Sequence, residues 1–384
     1  MHYTLHMTTQ CNLRCKYCYV NYSEPDMTLE TTRAVVDLAA QGASNQTSAQ
    51  ATNKQAGLIF FGGEPLIKRD LIFDTVAYAR GREKQGGCRY FFKITTNGLL
   101  LDEEFIDFAK QENLFVALSV DGLRESHDAY RRDVANNGSY DRVTAAAKRL
   151  LAVKPYSPAL MTVSPDTLPQ YATGVEALFS LGFTYIIASL DYSADWQEHH
   201  LPELERQYEV LAEIYKQKTL AEEKFYLSPF EVKISSHVNN RTYCHERCEL
   251  GLRQLSVGPD GTLYPCVQFV GDKNFKLGDV WSGIDETARQ SLYNHNEQEK
   301  PSCELCAIRE RCNHYCACLN RQATGSIDEV SPMLCAHERI VLPIADRLAS
   351  QLYQKGSALF IQKHYNDFYT LASLAEDRNS FPSE

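Results

Sequence analysis

Six short apolar, β-rich runs recur through the first half of this chain, each separated from the next by residues whose apolar members fall on one face of a helix. The runs are His2–Thr8, Leu58–Phe61, Tyr90–Thr95, Phe115–Ser119, Ala159–Val163 and Thr184–Leu190. Between them lie Val35/Leu38/Ala39, Ile72/Val76/Ala79, Phe105/Phe108/Ala109, Val143/Ala147/Leu150 and Val175/Leu178/Phe179, at helical spacing. Parallel strands need long crossovers, and helical crossovers cover both faces of the sheet they build. Repeated strand–helix alternation therefore predicts an α/β fold on a parallel sheet. The near-continuous apolar character of the runs agrees, since a strand covered on both faces has no polar side to alternate with.

After Leu190 the alternation stops. Leu201 to Lys224 predicts a charged amphipathic helix bridging two modules, and from about Ser236 to Cys335 periodicity is poor while cysteines are dense. Val280 to about Asn294 supplies one short helix there. The tail after His337 reads as helical again, with Pro343 expected to bend or delay it. The polar run Ala43–Gln55 reads as a surface loop.

The 13 cysteines cannot all pair, being odd in number. Met1–Met7 has neither the basic nor the apolar region of an export signal, so the expected compartment is the cytoplasm. There, clustered cysteines hold metal or perform redox chemistry. With 39 basic against 49 acidic residues and a net charge of −10, neither nucleic acid nor a membrane is an expected partner. No stretch approaches the roughly 20 apolar residues of a bilayer span.

Cys11, Cys15 and Cys18 form a CX3CX2C run directly after the first strand. Three thiolates can hold three irons of a [4Fe–4S] cluster and leave the fourth open to a substrate or cofactor. Structural zinc, which wants a fourth ligand, is the competing reading. With its aromatics Tyr17 and Tyr19, the run resembles the defining loop of the radical S-adenosylmethionine (SAM) superfamily. The resemblance implies a partial (β/α)6 TIM-like barrel over roughly residues 1–195. It also implies that Cys11, Cys15 and Cys18 bind a cluster whose unique iron chelates the amino and carboxylate groups of SAM, which on reduction yields a 5′-deoxyadenosyl radical.

Further segments carry the same resemblance. Gly62, Gly63, Glu64 and Pro65 look like the family's GGEP motif, in which the glycines admit backbone carbonyls to the SAM ammonium and Glu64 adds negative charge. Asn97 lies in the Thr95–Gly98 segment after the third strand; Ser119 and Asp121 follow the fourth, placed for ribose hydroxyls. Arg131 would pair with the SAM carboxylate, the alternative being a solvated surface arginine. Tyr17 joins this set of SAM contacts.

A second cysteine field runs CX12GX4C over Cys248, Gly261 and Cys266, then CX2CX5CX3C over Cys303, Cys306, Cys312 and Cys316, and closes at Cys335. The order closely resembles the cysteine-rich SPASM domain that follows the barrel in radical SAM enzymes acting on peptides and proteins. By that resemblance Cys248, Cys266 and Cys316, with Cys244 upstream, hold an inner auxiliary cluster, and Cys303, Cys306, Cys312 and Cys335 an outer one. That makes three [4Fe–4S] clusters with the SAM-binding one. Two structural zinc sites compete with this reading. If Cys244 does not ligate, the inner cluster keeps an open iron. Cys88 and Cys318 remain unassigned; buried inert cysteine is the plainer reading, with a hydrogen-atom donor role the alternative for Cys318. The implied division is a barrel over 1–195, a bridge over 196–235, a SPASM module over 236–340 and a helical tail over 341–384.

The family position implies modification of a ribosomally synthesised precursor peptide. The chain reaches its first cysteine within eleven residues, leaving no room ahead of Cys11 for a leader-recognition domain. Either a separate leader-recognition protein presents the peptide or the barrel–SPASM groove binds it alone. A flavodoxin or ferredoxin would supply electrons. Thioether crosslinking is the expected outcome. The alternatives are formylglycine formation, as in anaerobic sulfatase maturases, and peptide epimerisation or carbon–carbon crosslinking; a non-catalytic iron–sulfur carrier is the reading from outside enzymology. Sulfatase maturases carry an aspartate after the third inner-cluster cysteine as presumed base, whereas this chain has Val267 and then Gln268.

Overall fold

Every residue of β1 (His2–Thr8) after His2 is buried, so side chains leaving either face of the strand meet covering structure. β2 (Gln55–Gly62), β3 (Arg89–Thr96), β4 (Phe115–Ser119), β5 (Ala159–Val163) and β6 (Tyr185–Leu190) follow in that spatial order, each parallel to its neighbour. The six expected runs are thus six strands, adjacent in chain order. The computed structural model describes residues 1–20, 25–44, 55–86, 88–239, 249–366, 368–369 and 373.

The crossovers are α1 (Leu29–Ser44), α2 (Arg69–Lys84), α3 (Glu103–Gln111), α5 (Tyr140–Val153) and α6 (Tyr171–Leu181), with a short α4 (Arg124–Tyr130) inserted after β4. α3 shows how local signals set an element. Asp102 caps it, accepting from the Phe105 amide at 3.0 Å, and Phe105, Ile106 and Ala109 are buried on one face. Burying such a phenylalanine contributes about 2–3 kcal/mol. Of the polar run 43–55, residues 43 and 44 end α1 and Gln55 opens β2; 45–54 lie outside the described residues.

The sheet does not stop at six strands. β7 (Tyr226–Leu227) extends it beyond β6, and β8 (Gln254–Val257) pairs in parallel with β1 on the opposite edge, carrying antiparallel β9 (Leu263–Tyr264). The cysteine-rich segment therefore enters the fold as a strand beside β1, fastened from its first residue by the His2 amide on the Arg253 carbonyl at 3.0 Å.

Three helical expectations need correction. The bridging helix α7 spans Leu201–Leu220 and ends before Lys224, where Glu222 takes a φ of 56° that a helix cannot accommodate. α7 packs on α6 and on the tail helix. The helix expected from Val280 is Glu286–Asn296, because Gly278 and Gly283, at φ 108° and 90°, first form the hairpin β10 (Gly278–Asp279) and β11 (Gly283–Ile284).

The tail helix is Pro332–Gln354, beginning before His337 and continuing through residue 340 and through Pro343. Pro343 removes one backbone bond, but Val341, Leu342, Ile344, Ala345 and Leu348 are buried around it, and this face packs on α7 and on α8 (Ser228–Asn239). Several buried aliphatic side chains, at about 1.5–3 kcal/mol each, outweigh a proline penalty of about 3 kcal/mol. Among the described residues no helix is long and apolar enough to cross a membrane.

Candidate active site

The loop that leaves β1 is stitched to its surroundings before any cofactor is considered. The Gly63 amide donates to the Thr8 carbonyl and the Glu64 amide to the Gln10 carbonyl, both at 2.8 Å. A Cβ on Gly62 or Gly63 would lie 2.3 or 2.2 Å from the Thr8 or Gln10 carbonyl oxygen, so only glycine lets β2 end this close to the cysteine loop. On the other side the Arg14 amide bonds the Arg132 carbonyl at 2.7 Å and the Lys16 amide the Tyr130 carbonyl at 3.1 Å. The Cys18 amide closes a turn on the Cys15 carbonyl.

Glu64 takes a part the sequence did not reveal. Its fully buried carboxylate accepts from the Leu66 amide at 3.0 Å, the Thr96 hydroxyl at 2.8 Å and the Asn97 amide at 2.8 Å, tying the end of β2 to the end of β3. Burial pushes its pKa up to about 7 against these bonds. Pro65 opens the short helical turn that Glu64 caps. Asn97, held in place, donates to Asn12 Oδ1 at 2.7 Å and reaches Cys11 Sγ at 3.6 Å.

Arg131 is not a surface arginine. It is buried, with Nε donating to Asp121 Oδ2 at 2.8 Å, and its guanidinium lies 5.3 Å from the Tyr17 ring centre. Tyr17 donates its hydroxyl to the same Asp121 oxygen and stacks on Tyr130 at 5.5 Å. The other Asp121 oxygen accepts from the Thr162 amide at 3.0 Å. Both oxygens are therefore engaged with protein donors, which makes Asp121 an anchor for Arg131 and Tyr17. Ser119, half-buried, ends β4 beside it.

Behind Asp121 stands His127, which sequence reasoning passed over. Burial holds its pKa down at about 4, so the ring is neutral. Nδ1 accepts from the Asp121 amide at 3.2 Å, which leaves Nε2–H to donate to Ser139 Oγ at 2.9 Å. Ser139 then donates to the Arg131 carbonyl at 2.7 Å. One neutral histidine thus ties the backbone of both partners of the ion pair.

The thiols fit an iron–sulfur cluster by their chemistry and spacing. Burial pushes the Cys11 thiol up to about 11 and Cys15 upward as well, with Arg131 pulling Cys15 back. Such thiols lose their protons when metal replaces them. The Leu13 amide already points at Cys11 Sγ at 3.3 Å. Three thiols at this spacing suit a cluster whose ligands sit on separate irons and leave the fourth iron open.

The four cysteines expected to hold the outer cluster lie on the turns from Pro301 to Cys312 and on the tail helix. Cys306 turns back on Cys303, its amide on the Cys303 carbonyl at 3.0 Å, and Cys335 arrives on the first turn of the tail helix. Burial raises the Cys335 thiol pKa, with smaller contributions from the charges of Cys303 and Cys306, and burial raises that of Cys312 as well. Arg339 reaches Cys306 Sγ at 3.5 Å. Of the inner set, Cys244 and Cys248 lie outside the described residues, while Cys266 and Cys316 are brought together with a thiol that the sequence left unassigned, Cys318. The CXC spacing of Cys316 and Cys318 was the available signal. Cys88 is buried in the main core.

Tyr19 follows Cys18 in the chain, and burial of its hydroxyl, with smaller contributions from the charges of Cys266, Cys18 and Cys318, raises its pKa. A cavity of about 260 Å3 lies along the C-terminal half of β6, lined by Tyr192, Tyr208, Lys233, Cys316, His337 and Glu338, among others. Lys233 and Glu338 form a buried ion pair. His337, kept neutral by burial, bonds Tyr192 and Tyr208 through its two ring nitrogens at 2.8 and 2.7 Å.

Comparison with known proteins places this geometry. Residues 5–168 match the Radical SAM superfamily. A cysteine-type anaerobic sulfatase-maturating enzyme of Clostridium novyi is 26% identical over 305 residues, covering 75% of this chain and 78% of that protein. Among solved structures, native anSMEcpe with bound AdoMet superposes with a TM-score of 0.76 at 19% identity, over 92% of this chain and all of that one. Streptococcus suis SuiB bound to precursor peptide SuiA gives a TM-score of 0.61 at 13% identity, over 87% and 75% of the two chains. The cysteine loop, the strand-end motifs and the strands from β2 to β5 all lie inside the matched span, so residues 5–168 are similar to the Radical SAM superfamily in the part of the chain that carries the site.

Proposed function

We propose that this radical SAM enzyme is a maturase that modifies a ribosomally synthesised peptide or protein. The observation that carries the reading is the pairing of β8 with β1, which brings the cysteine-rich segment alongside the strand that leads into the Cys11–Cys18 loop, together with the Cys316-lined cavity. It sets a radical-generating loop beside a second thiol site, with room for a substrate side chain near both. Cys11, Cys15 and Cys18 hold the SAM-binding cluster, and bound SAM supplies a 5′-deoxyadenosyl radical that takes a hydrogen atom from the substrate. Arg131, aimed by Asp121 and His127, binds the SAM carboxylate; Asn97, Ser119 and Tyr17 line the nucleotide's other contacts. Glu64 braces the strand ends that carry them. Cys244, Cys248, Cys266 and Cys316 serve an inner auxiliary cluster and Cys303, Cys306, Cys312 and Cys335 an outer one. A flavodoxin or ferredoxin donates electrons, and a leader-recognition protein presents the peptide.

The bond formed is a thioether between a peptide cysteine and a carbon. Val267 after Cys266 supports this over aldehyde formation, since a side chain without a carboxylate cannot take the proton that formylglycine formation releases. Formylglycine formation is the second reading, favoured by the similarity to the sulfatase maturase over three quarters of this chain. Anaerobic incubation with SAM, dithionite and a cysteine-containing candidate peptide separates them. A thioether costs the peptide a pair of hydrogens and its free thiol while sulfur is retained. Loss of sulfur with gain of an aldehyde would replace this reading with the second. Absence of 5′-deoxyadenosine would overturn both.

A further inference from the structure

We propose that Cys318 is a hydrogen-bond donor to the ligand thiolates of the inner auxiliary cluster, raising that cluster's reduction potential. The inference rests on the reading that Cys266 and Cys316 are ligands there. Cys316 caps the helix Ala317–Thr324 and Cys318 is its second residue, so one helical turn fixes the two thiols relative to each other. Their sulfurs are 3.4 Å apart. Cys318 also hydrogen-bonds Cys266, and it packs on the apolar cluster that includes Leu250, Tyr264 and Phe269.

The distance decides between two roles. Thiolates sharing one tetrahedral metal at about 2.3 Å per bond are about 3.8 Å apart, and those on separate irons are farther still. A separation of 3.4 Å is shorter than either and matches S–H···S contact. With Cys266 and Cys316 deprotonated by metal, Cys318 is the partner that keeps a proton to donate. Hydrogen bonds to cluster sulfurs are among the factors that set reduction potentials, because the added electron places negative charge on those sulfurs. An apolar surround strengthens the bond.

The test uses the full chain, reconstituted anaerobically, with iron and sulfide analysis and an EPR-monitored redox titration. Cys318→Ala should keep the wild-type iron content while the inner cluster's midpoint moves to a more negative potential, and Cys318→Ser should restore it toward wild type. Should the alanine variant fail to fold, Cys318→Val refills the apolar space without a donor and is held to the same expectation. Loss of about four irons on Cys318→Ala would overturn the proposal by making Cys318 a ligand. An unchanged midpoint at full iron content would overturn it and leave the auxiliary cluster standing. Wild-type protein holding about four irons in all would remove the inner cluster and the inference together.

Discussion

Around Cys15, side chains hold one another: Arg131 on Asp121, Tyr17 on Asp121 and Tyr130, His127 on the backbone of Asp121, all on the ends of strands with a large shared core beneath. Around the later cysteines the support is thinner. Among the described residues the second apolar cluster has Leu250, Tyr264, Cys266, Phe269, Ala317 and Ile327 as its buried members, and the segment from Pro301 to Cys316 runs through turns and two single-turn helices. The barrel's half of the site is organised by packing and hydrogen bonds, whereas in the cysteine-rich half the auxiliary clusters proposed above would supply a share of the folding energy.

That contrast can be broken or sharpened at three points. The largest effect is expected from Cys15→Ala, which should bring SAM cleavage to background while the circular dichroism spectrum and unfolding of the sheet stay close to wild type. Sheet unfolding that fell with the cluster would make the barrel metal-dependent too. Next, Cys306→Ala should open the module. Amide exchange over residues 301–340 should quicken by about a hundredfold, or about 2.8 kcal/mol, with peptide turnover lost and SAM cleavage without peptide retained. Unchanged exchange would deny metal its structural part there.

The smallest effect concerns protons. His6, fully buried in β1, has its pKa lowered from 6.5 to about 3 by burial. Below pH 6.5 the unfolded chain takes up a proton that the folded one refuses, so stability falls with falling pH, by about 1.4 kcal/mol per unit from this group down to about pH 3. His6→Leu should remove that slope from urea denaturation curves between pH 7 and 5. Parallel slopes for the two proteins would show that His6 titrates freely in the fold.

Much of the barrel was legible because its signals are local. β4 and β5 fall on the expected residues, since apolar runs bounded by turns need little context. Pro343 misled because its cost is local but the burial that offsets it is not. The glycines of the GGEP segment were visible as a motif, yet the reason for them is the Thr8 and Gln10 carbonyls they pack against, which no spacing reveals. Arg131 looked as though it could lie at the surface until Asp121 and Tyr17 closed over it.

The alternation of strands and helices, the cysteine spacing and with them the resemblance to the radical SAM family follow from the sequence alone, because period, turn residues and thiol intervals are properties of neighbouring positions along the chain. Tertiary structure alone decided that Glu64 and Asp121 face protein donors and that Cys318 meets both Cys316 and Cys266. Those outcomes depend on which groups distant segments bring within hydrogen-bond reach, and a buried polar atom takes its role from the partner it finds there.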